Sequence, residues 1–249
     1  GKSSFINKLL GEDRLIVSEK AGTTRDAVDT PYELDGQKYL LVDTAGLRRK
    51  FKVRENLEFY TNLRSNKAID DCDVGVVLID GSEGMTAQDQ RVLASVIESR
   101  RPAVLAVNKW DLVEKDSLTA DRFAAEINRD LARLSFIPMV FCSALTGQRI
   151  TRIMSKVNDV HEQNRRRIPT SELNDFLKKV YARKKPPARN RKYIRFKYVT
   201  QSEISPPTFV FFANHPKLID RSYVSYLANQ LRADFGFEGV PIRLKFRRS

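Results

Sequence analysis

Four short polar fragments within the first 145 residues constrain the fold more than any other feature of this chain. Three of them stand at the end of short apolar runs rich in Val, Ile and Leu, which are typical of strands covered on both faces. The fragments are Gly-Lys-Ser-Ser at 1–4, Asp-Thr-Ala-Gly at 43–46, Asn-Lys-Trp-Asp at 108–111 and Ser-Ala-Leu at 143–145. Because ligands of open α/β sheets bind beyond the carboxyl ends of the strands, the sequence predicts a binding site at one sheet edge.

Apolar runs and amphipathic segments alternate over the first two thirds of the chain. Strands are predicted at 38–44, 74–80, 102–108 and 138–144. Helices are predicted at roughly 3–10, 56–69, 86–100, 118–134 and 148–166. This alternation predicts an α/β domain with a mostly parallel, doubly wound sheet.

The first fragment has the residues that end a phosphate-binding loop, G-x-x-x-x-G-K-[ST]. In such a loop Lys2 reaches the β- and γ-phosphates of a nucleotide and the Ser3 hydroxyl binds Mg²⁺. Backbone N–H groups from Gly1 to Ser4, at the start of a helix, hold phosphate oxygens. We expect the loop to begin upstream of residue 1, so we expect the chain to be a fragment of a longer protein. Gly-Lys-Ser alone is common by chance, and the interpretation depends on the other three fragments.

The second fragment supplies a carboxylate and a backbone donor at a strand end. The Asp43 carboxylate can hold the water shell of Mg²⁺, and the Gly46 N–H can turn toward the γ-phosphate. The polar segment at 21–26 is long enough to form a switch loop, in which Thr24 is our candidate for a second hydroxyl on Mg²⁺. We assign catalytic roles to Lys2, Thr24, Asp43 and Gly46, metal binding to Ser3, Thr24 and Asp43, and further nucleotide contacts to Thr44 and Ala45.

The third and fourth fragments select the base. The Asp111 carboxylate can accept both the ring N–H and the exocyclic amine of guanine, which adenine cannot satisfy. Asn108 would support the opposite edge of the base and the loop, and Lys109 would lay its aliphatic stem along the base. The Ala144 N–H would meet the guanine carbonyl oxygen. Ser143 and Leu145 complete this set, and the four fragments together predict a site for GTP or GDP.

Leu47 follows the second fragment, where Ras-type GTPases carry the glutamine that orients the attacking water. We assign Leu47 a nucleotide contact, but leucine can neither donate nor accept a hydrogen bond. Backbone groups, another residue, a partner or an extra cation must then position the water and neutralise the developing charge. We therefore expect slow intrinsic GTP hydrolysis.

Positive charge is concentrated in the last third of the chain. Residues 171–249 hold 17 Lys and Arg against 6 Asp and Glu, whereas residues 1–170 hold 27 against 25. Such asymmetry favours a polyanionic partner bound through the C-terminal part, although a solvated basic face is the simpler alternative. Candidate RNA contacts are Lys184, Lys185, Arg189, Arg191, Lys192, Arg195, Arg247 and Arg248.

The C-terminal part reads as a small α+β module, and we predict domains at 1–169 and 170–249. Thr170 or Ser171, followed by Glu172, could cap a helix that runs to about residue 183. Strands are predicted at 193–200, 208–213 and 240–247, with a helix at 221–235 and a core that includes Phe196, Tyr198 and Phe211. Residues 236–239 match the G-x-x-G sequence pattern of RNA-binding KH loops, but we interpret them as a helix C-cap and turn.

These residues resemble the tandem-GTPase ribosome-assembly family Der, also called EngA, from its second GTPase domain onward. The resemblance is carried by residues 1–7, 21–26, 43–50, 108–111 and 239–243. It implies a P-loop GTPase domain followed by a KH-like domain, with a first GTPase domain upstream. It also implies GTP hydrolysis and the large ribosomal subunit and its rRNA as partners, with no DNA or membrane. Related GTPases often use K⁺, held partly by backbone carbonyls of the switch loop. Ser18, Lys20 and Thr23 match those loop positions and are the candidates for binding K⁺ here.

Two alternatives stay open at this point. One is an RNA-binding module whose nucleotide site is structural and does not hydrolyse GTP. The other is an Era-type or tRNA-modification GTPase, although Era normally keeps G-x-x-G between helices and the tRNA-modifying relatives end in a cysteine-bearing tail. Only Cys72 and Cys142 occur, both in or beside strand-like stretches, and no apolar run approaches the ~20 residues that span a bilayer. We therefore expect a cytoplasmic protein with reduced thiols.

Overall fold

The computed structural model describes residues 1–12, 29–42, 68–114, 119–131, 134–189 and 191–249. Over these residues the chain divides into two compact units, Gly1–Val157 and Asn158–Ser249. The first unit contains α1 (Lys2–Glu12), β1 (Thr30–Leu34), β2 (Gln37–Leu41), β3 (Gly75–Asp80), α2 (Ala87–Glu98), β4 (Ala103–Asn108), α3 (Thr119–Asp130) and β5 (Met139–Phe141). A further helix, α4 (Ile150–Asn164), runs through the division. The domain boundary between 169 and 170 stays a prediction.

A parallel sheet with the strand order β3-β4-β5 forms the centre of the first unit. All six residues of β4 are buried, as the continuous apolar run predicted, because helices and neighbouring strands surround it. In the register of this sheet Asp80 pairs with Asn108, so the carboxyl ends of β3 and β4 lie side by side. The predicted parallel, α/β character is confirmed.

The strand predicted at 38–44 differs from expectation. It is observed as β2, which among the described strands pairs only with β1, antiparallel, in a hairpin that the sequence analysis did not anticipate. Leu40 is 59% exposed, so β2 is not covered on both faces. The turn at Asp35 and Gly36 has φ values of 50° and 78°. This Asp-Gly pair is a strong hairpin signal, since both turn positions require positive φ.

The second unit contains, after the end of α4, the elements α5 (Thr170–Arg183), β6 (Phe196–Glu203), β7 (Thr208–Ala213), a 3₁₀ turn (Pro216–Leu218), α6 (Arg221–Phe235) and β8 (Arg243–Arg248). Its sheet has the order β6-β7-β8, with β6 antiparallel and β8 parallel to β7. Both helices and β7 have the predicted bounds. The strands β6 and β8 each begin three residues later than predicted.

The helix ends of this unit test the predicted N-cap of α5 and the predicted C-cap of α6, and they show a further cap, Asp220, that was not predicted. Asp220 caps α6 by accepting a hydrogen bond from the Tyr223 N–H at 2.8 Å, and Gly236 ends the helix with φ of 86°. The interpretation of residues 236–239 as a C-cap and turn is confirmed. The predicted cap of α5 is wrong, because the N-cap is Pro169 and makes no side-chain hydrogen bond. Thr170 already has helical geometry, so its hydroxyl cannot act from the flanking position that a cap requires.

Tyr198 does not join the core of the second unit. The pairing of β6 with β7 shifts between Phe196 and Tyr198, which places the two side chains on opposite faces of the sheet. Phe196 packs against Phe211 and Tyr223, whereas Tyr198 stacks on Phe212 at 4.2 Å between ring centroids and stays 38% exposed. Local alternation alone could not reveal this, because the bulge depends on the partner strand.

We expect Gly236→Ala to lower the free energy of unfolding by about 1–3 kcal/mol, since φ of 86° is strained for any residue with a Cβ. A Cβ there would also lie 3.0 Å from Oε1 of Gln163, which accepts a hydrogen bond from the Phe237 N–H. Urea titration followed by circular dichroism measures the change. The matched control is Gly11→Ala in α1, whose Cβ would meet nothing within 4 Å. A Gly236→Ala variant as stable as wild type would contradict the argument.

Candidate functional site

The carboxyl ends of the parallel strands hold the polar residues of the site. β4 ends at Asn108, which is only 4% exposed, and the loop after β5 contains Ser143 and Ala144, both buried. Oδ1 of Asn108 accepts a hydrogen bond from the Ala144 N–H at 2.8 Å. The third and fourth sequence fragments are therefore joined directly. The predicted contact between this N–H and guanine stays a prediction, and it would require Asn108 to share or release the donor.

The first fragment lies beside the third. A Cβ on Gly1 would stand 3.2 Å from Nδ2 of Asn108, so a larger residue at Gly1 would press against that amide. α1 begins at the next residue, and the Gly1 carbonyl accepts its first hydrogen bond, from the Phe5 N–H at 2.9 Å. The first N–H groups of a helix have no partner within it and carry the positive end of its dipole. Lys2, Ser3 and Ser4 thus stand where phosphate oxygens could be held.

Asp111 carries an unsatisfied acceptor. Its Oδ1 is buried and has no hydrogen-bond partner among the described residues. Leaving a buried acceptor unpaired costs about 1–3 kcal/mol, and more when the group is charged. A ligand that presents N–H donors to this oxygen would remove that cost. The ring N–H and exocyclic amine of guanine are such donors.

Lys109 forms an ion pair with Asp80, which the sequence analysis did not single out. Asp80 also accepts hydrogen bonds from the Ser82 N–H at 3.0 Å and from its hydroxyl at 2.6 Å. Desolvation raises the pKa of Asp80, but the hydrogen bonds from Lys109 and Ser82 outweigh it, and the pKa falls below its ordinary value. The same pairing raises the pKa of Lys109. A signal was present, because Asp80 also ends an apolar run, at the carboxyl end of β3.

An aromatic cluster supports the loop at 108–111. Trp110 is buried against Phe141 at 4.4 Å and Phe123 at 5.3 Å between ring centroids, and its backbone N–H donates to the Cys142 carbonyl at 3.0 Å. Burial raises the pKa of the Cys142 thiol to about 11, so this group stays neutral. On the other side, a Cβ on Gly81 would lie 2.9 Å from the Asn108 carbonyl oxygen, so only glycine allows this approach.

Leu145 differs from the other residues of its fragment, because its side chain is 80% exposed. Ser143 instead orders the turn, since its hydroxyl oxygen accepts a hydrogen bond from the Thr146 N–H at 3.1 Å. The predicted nucleotide contacts of both residues stay predictions. Several other predicted positions lie outside the described residues: Ser18, Lys20, Thr23, Thr24, Asp43, Thr44, Ala45, Gly46 and Leu47.

Within the described ranges, no three His, Cys, Asp or Glu side chains are grouped so that they could hold a metal ion. The predicted Mg²⁺ site is not tested by this, because Thr24 and Asp43 fall in the gaps. None of the described helices is long and apolar enough to cross a membrane.

Two protein families match the chain in succession. The family described as "50S ribosome-binding GTPase" matches residues 1–109. The family described as "KH-domain-like of EngA bacterial GTPase enzymes, C-terminal" matches residues 167–247.

Curated relatives are similar over the whole chain. GTPase Der of Chloroherpeton thalassium is 46% identical over 248 residues, covering 100% of this chain and 57% of that protein. GTPase Der of Halothermothrix orenii is 47% identical over 247 residues, covering 99% of this chain and 56% of that protein. The chain thus spans little more than half the length of these relatives. Among solved structures, Era in complex with MgGDPNP and nucleotides 1506–1542 of 16S ribosomal RNA is 18% identical, with a TM-score of 0.48, and covers 100% of this chain and 88% of that chain.

The matches follow the order of the observed structure: a GTPase family over β3 and β4 of the parallel sheet as far as Asn108 and Lys109, then a KH-like family over the second sheet. With relatives this similar along its full length, the chain belongs to the GTPase Der family and consists of a P-loop GTPase domain followed by that family's KH-like domain.

Proposed function

We propose that this chain binds and hydrolyses GTP as part of a switch protein in large ribosomal subunit biogenesis, and that its basic C-terminal unit binds rRNA. The observation that carries the nucleotide part is the buried, unpaired Oδ1 of Asp111 beside the joined loops of Asn108 and Ala144. We propose domains at 1–169 and 170–249 and a cytoplasmic location.

Guanine recognition would depend on three neighbouring residues. Asp111 offers the carboxylate that pairs with two N–H groups of the base, and the buried Asn108 keeps its loop in place. Lys109, held by Asp80, would cover one face of the base with its aliphatic stem. Adenine presents no matching donors to Asp111, so binding it would leave the buried Oδ1 unpaired at a cost of about 1–3 kcal/mol or more.

Phosphate binding would fall to the start of α1, with Lys2 against the β- and γ-phosphates. Ser3, Thr24 and Asp43 would hold Mg²⁺, which would supply positive charge against the phosphate oxygens when bound. Lys2, Thr24, Asp43 and Gly46 are the proposed catalytic residues. Because Leu47 cannot orient water, we propose slow intrinsic hydrolysis that depends on backbone groups, a partner or a cation such as K⁺.

The proposed partner is the large ribosomal subunit, with no part for DNA or a membrane. The family that matches residues 1–109 is described as ribosome-binding, which supports the proposal. The positive charge of residues 171–249, which contain 17 Lys and Arg but only 6 Asp and Glu, also supports it. Cations that neutralise the phosphates of a nucleic acid release its condensed counterions, and this release would favour the binding of a polyanion such as rRNA. An RNA-binding module with a non-hydrolysing nucleotide site is the alternative that Leu47 favours.

We expect Asp111→Asn to weaken GDP binding by roughly 10- to 150-fold, since it removes a charge-assisted hydrogen bond and turns a donor toward the base. Binding of xanthosine diphosphate should improve, because xanthine carries a carbonyl in place of the exocyclic amine. Competition against a fluorescent GDP analogue measures both affinities, using protein that carries the upstream sequence expected for the phosphate-binding loop. The control is Asp121→Asn on the exposed surface of α3. Unchanged GDP affinity in Asp111→Asn would exclude this site for the base.

We expect the same protein to co-sediment with large ribosomal subunits in the presence of a non-hydrolysable GTP analogue and to dissociate with GDP. The nucleotide state would change loops next to the γ-phosphate and so alter how the basic unit is presented. Equal binding in both states and without nucleotide would support the constitutive RNA-binding alternative. Loss of ribosome binding in every state, with nucleotide binding intact, would refute the proposed partner.

A further inference from the structure

Tyr193 is an aromatic residue left in solvent at the centre of a positively charged loop. Its side chain is 74% exposed, and the described residues provide no ring contact for it. It belongs to the segment between α5 and β6, here called the basic loop and defined as residues 184–189 and 191–195. The loop contains six cations and no acidic residue: Lys184, Lys185, Arg189, Arg191, Lys192 and Arg195. Large aromatic side chains usually bury most of their surface, so this exposure is unusual.

Hydrogen bonds hold the backbone at Tyr193 and at the two residues that follow it. Nδ2 of Asn214 donates to the Tyr193 carbonyl at 3.0 Å, and Oδ1 of Asn214 accepts from the Arg195 N–H at 2.9 Å. Ile194 between them is buried, and its carbonyl accepts from the Tyr181 hydroxyl at 3.2 Å. The ring of Tyr193 is therefore presented from an ordered backbone. A ligand that used it would pay little to order the loop.

Hydrogen bonds also hold the backbone at three cations of the basic loop, Lys184, Arg189 and Lys192. The Lys184 carbonyl accepts from the Tyr223 hydroxyl at 2.7 Å. Arg189 and Lys192 exchange backbone hydrogen bonds of 3.2 and 2.9 Å, which close a turn. The charge of Arg189 acts on Asp220. The Tyr223 N–H, then the Ser222 hydroxyl, with a smaller contribution from Arg189, lower the pKa of Asp220, whose carboxylate is occupied in capping α6.

Positive charge continues across the neighbouring end of the sheet. Ala213 pairs with Phe196 at the start of β6 and with Arg248 at the end of β8. Two strand spacings of about 4.8 Å separate Arg248 from Phe196, so the exposed Arg248 lies within reach of a chain that follows the basic loop. A bound polyanion would thus meet cations on both sides of Tyr193.

The combination of cations and one exposed ring matches the chemistry of single-stranded RNA. Phosphates pair with Lys and Arg, while an unpaired base can stack on an aromatic face. A duplex would hide its bases from Tyr193, and an acidic peptide would use the cations without the ring. The G-x-x-G spelling at 236–239 is occupied in capping α6 and is not free to clamp a nucleic-acid backbone.

We propose that the basic loop binds single-stranded RNA and that Tyr193 is the platform on which an unpaired base stacks. The proposal rests on the RNA association proposed above for this unit and adds the class of RNA and the residue that distinguishes it. Asn214 acts through Tyr193 as a positioning residue, because it holds the Tyr193 carbonyl and the N–H of Arg195 two residues later.

The test compares a short single-stranded RNA containing 2-aminopurine with an RNA duplex of the same length, each titrated with the full chain. We expect Tyr193→Ala to weaken single-strand binding roughly 5- to 150-fold, to abolish 2-aminopurine quenching and to leave duplex binding and the salt dependence unchanged. Tyr193→Phe keeps the ring and should bind like wild type. Lys192→Ala should reduce the slope of log affinity against log salt by about 0.7 while quenching persists at saturation. Lys178 is an exposed cation of α5 that pairs with Asp175. The variant Lys178→Ala is therefore the charge control, and it should change neither the salt slope nor the 2-aminopurine quenching.

The outcomes distinguish a failure of base stacking on Tyr193 from a failure of the RNA association proposed for this unit. If wild type binds the single strand but Tyr193→Ala binds it equally well, stacking is refuted and RNA association stands. Equal losses on single strand and duplex would also refute stacking, because a duplex offers no unpaired base. If Lys178→Ala lowers the salt slope as much as Lys192→Ala, the basic loop is not the binding surface. If wild type binds neither RNA, the proposed RNA association fails together with the stacking. Circular dichroism melting confirms that each variant is folded.

Discussion

The nucleotide site depends on the buried side chain of Asn108. Its Oδ1 accepts from the Ala144 N–H at 2.8 Å, and its Nδ2 would stand 3.2 Å from a Cβ on Gly1. Three of the four polar fragments, which are far apart in sequence, therefore meet at one amide. Buried amides are rarely left without partners, because the desolvation cost is not recovered otherwise. The parallel sheet makes this meeting possible, since the ends of β4 and β5 and the loop after β3 share one edge.

Asp111 differs from Asn108, because its buried Oδ1 has no hydrogen-bond partner among the described residues. Asn164 in α4 also has a buried, unpaired Oδ1, so an orphaned oxygen alone does not define a site. The amide of Asn164 is already tied to the Ser205 hydroxyl through Nδ2 at 2.7 Å, and its oxygen carries no formal charge. Asp111 differs because its side chain is a carboxylate next to an ordered loop, beside the ion pair of Lys109 and Asp80. A charged acceptor in such a place favours a ligand with two N–H donors.

The sequence predicted those elements whose determinants are local. The helix at 221–235 and the C-cap that follows it at Gly236 were predicted with their observed bounds, and β4 was predicted from its uninterrupted apolar run. The β1–β2 hairpin was missed because its Asp-Gly turn was overlooked, although the signal was present. The position of Tyr198 was wrong for a different reason, since the bulge in β6 is set by pairing with β7. The partnership of Asp80 with Lys109 likewise required the fold, because 29 positions separate the two residues in sequence.

In the second unit, the segment at 236–239 serves to end a helix. Gly236 and Gly239 both have positive φ, and the backbone between them ends α6 and returns the chain toward β8. The segment cannot also close around a phosphate backbone without giving up this cap. Any RNA contact of the unit must then use another surface. The basic loop is suited to it, because Asn214 and Tyr223 hydrogen-bond to its backbone while the ring of Tyr193 and the cations stay exposed, Lys184 lying over the Tyr226 ring.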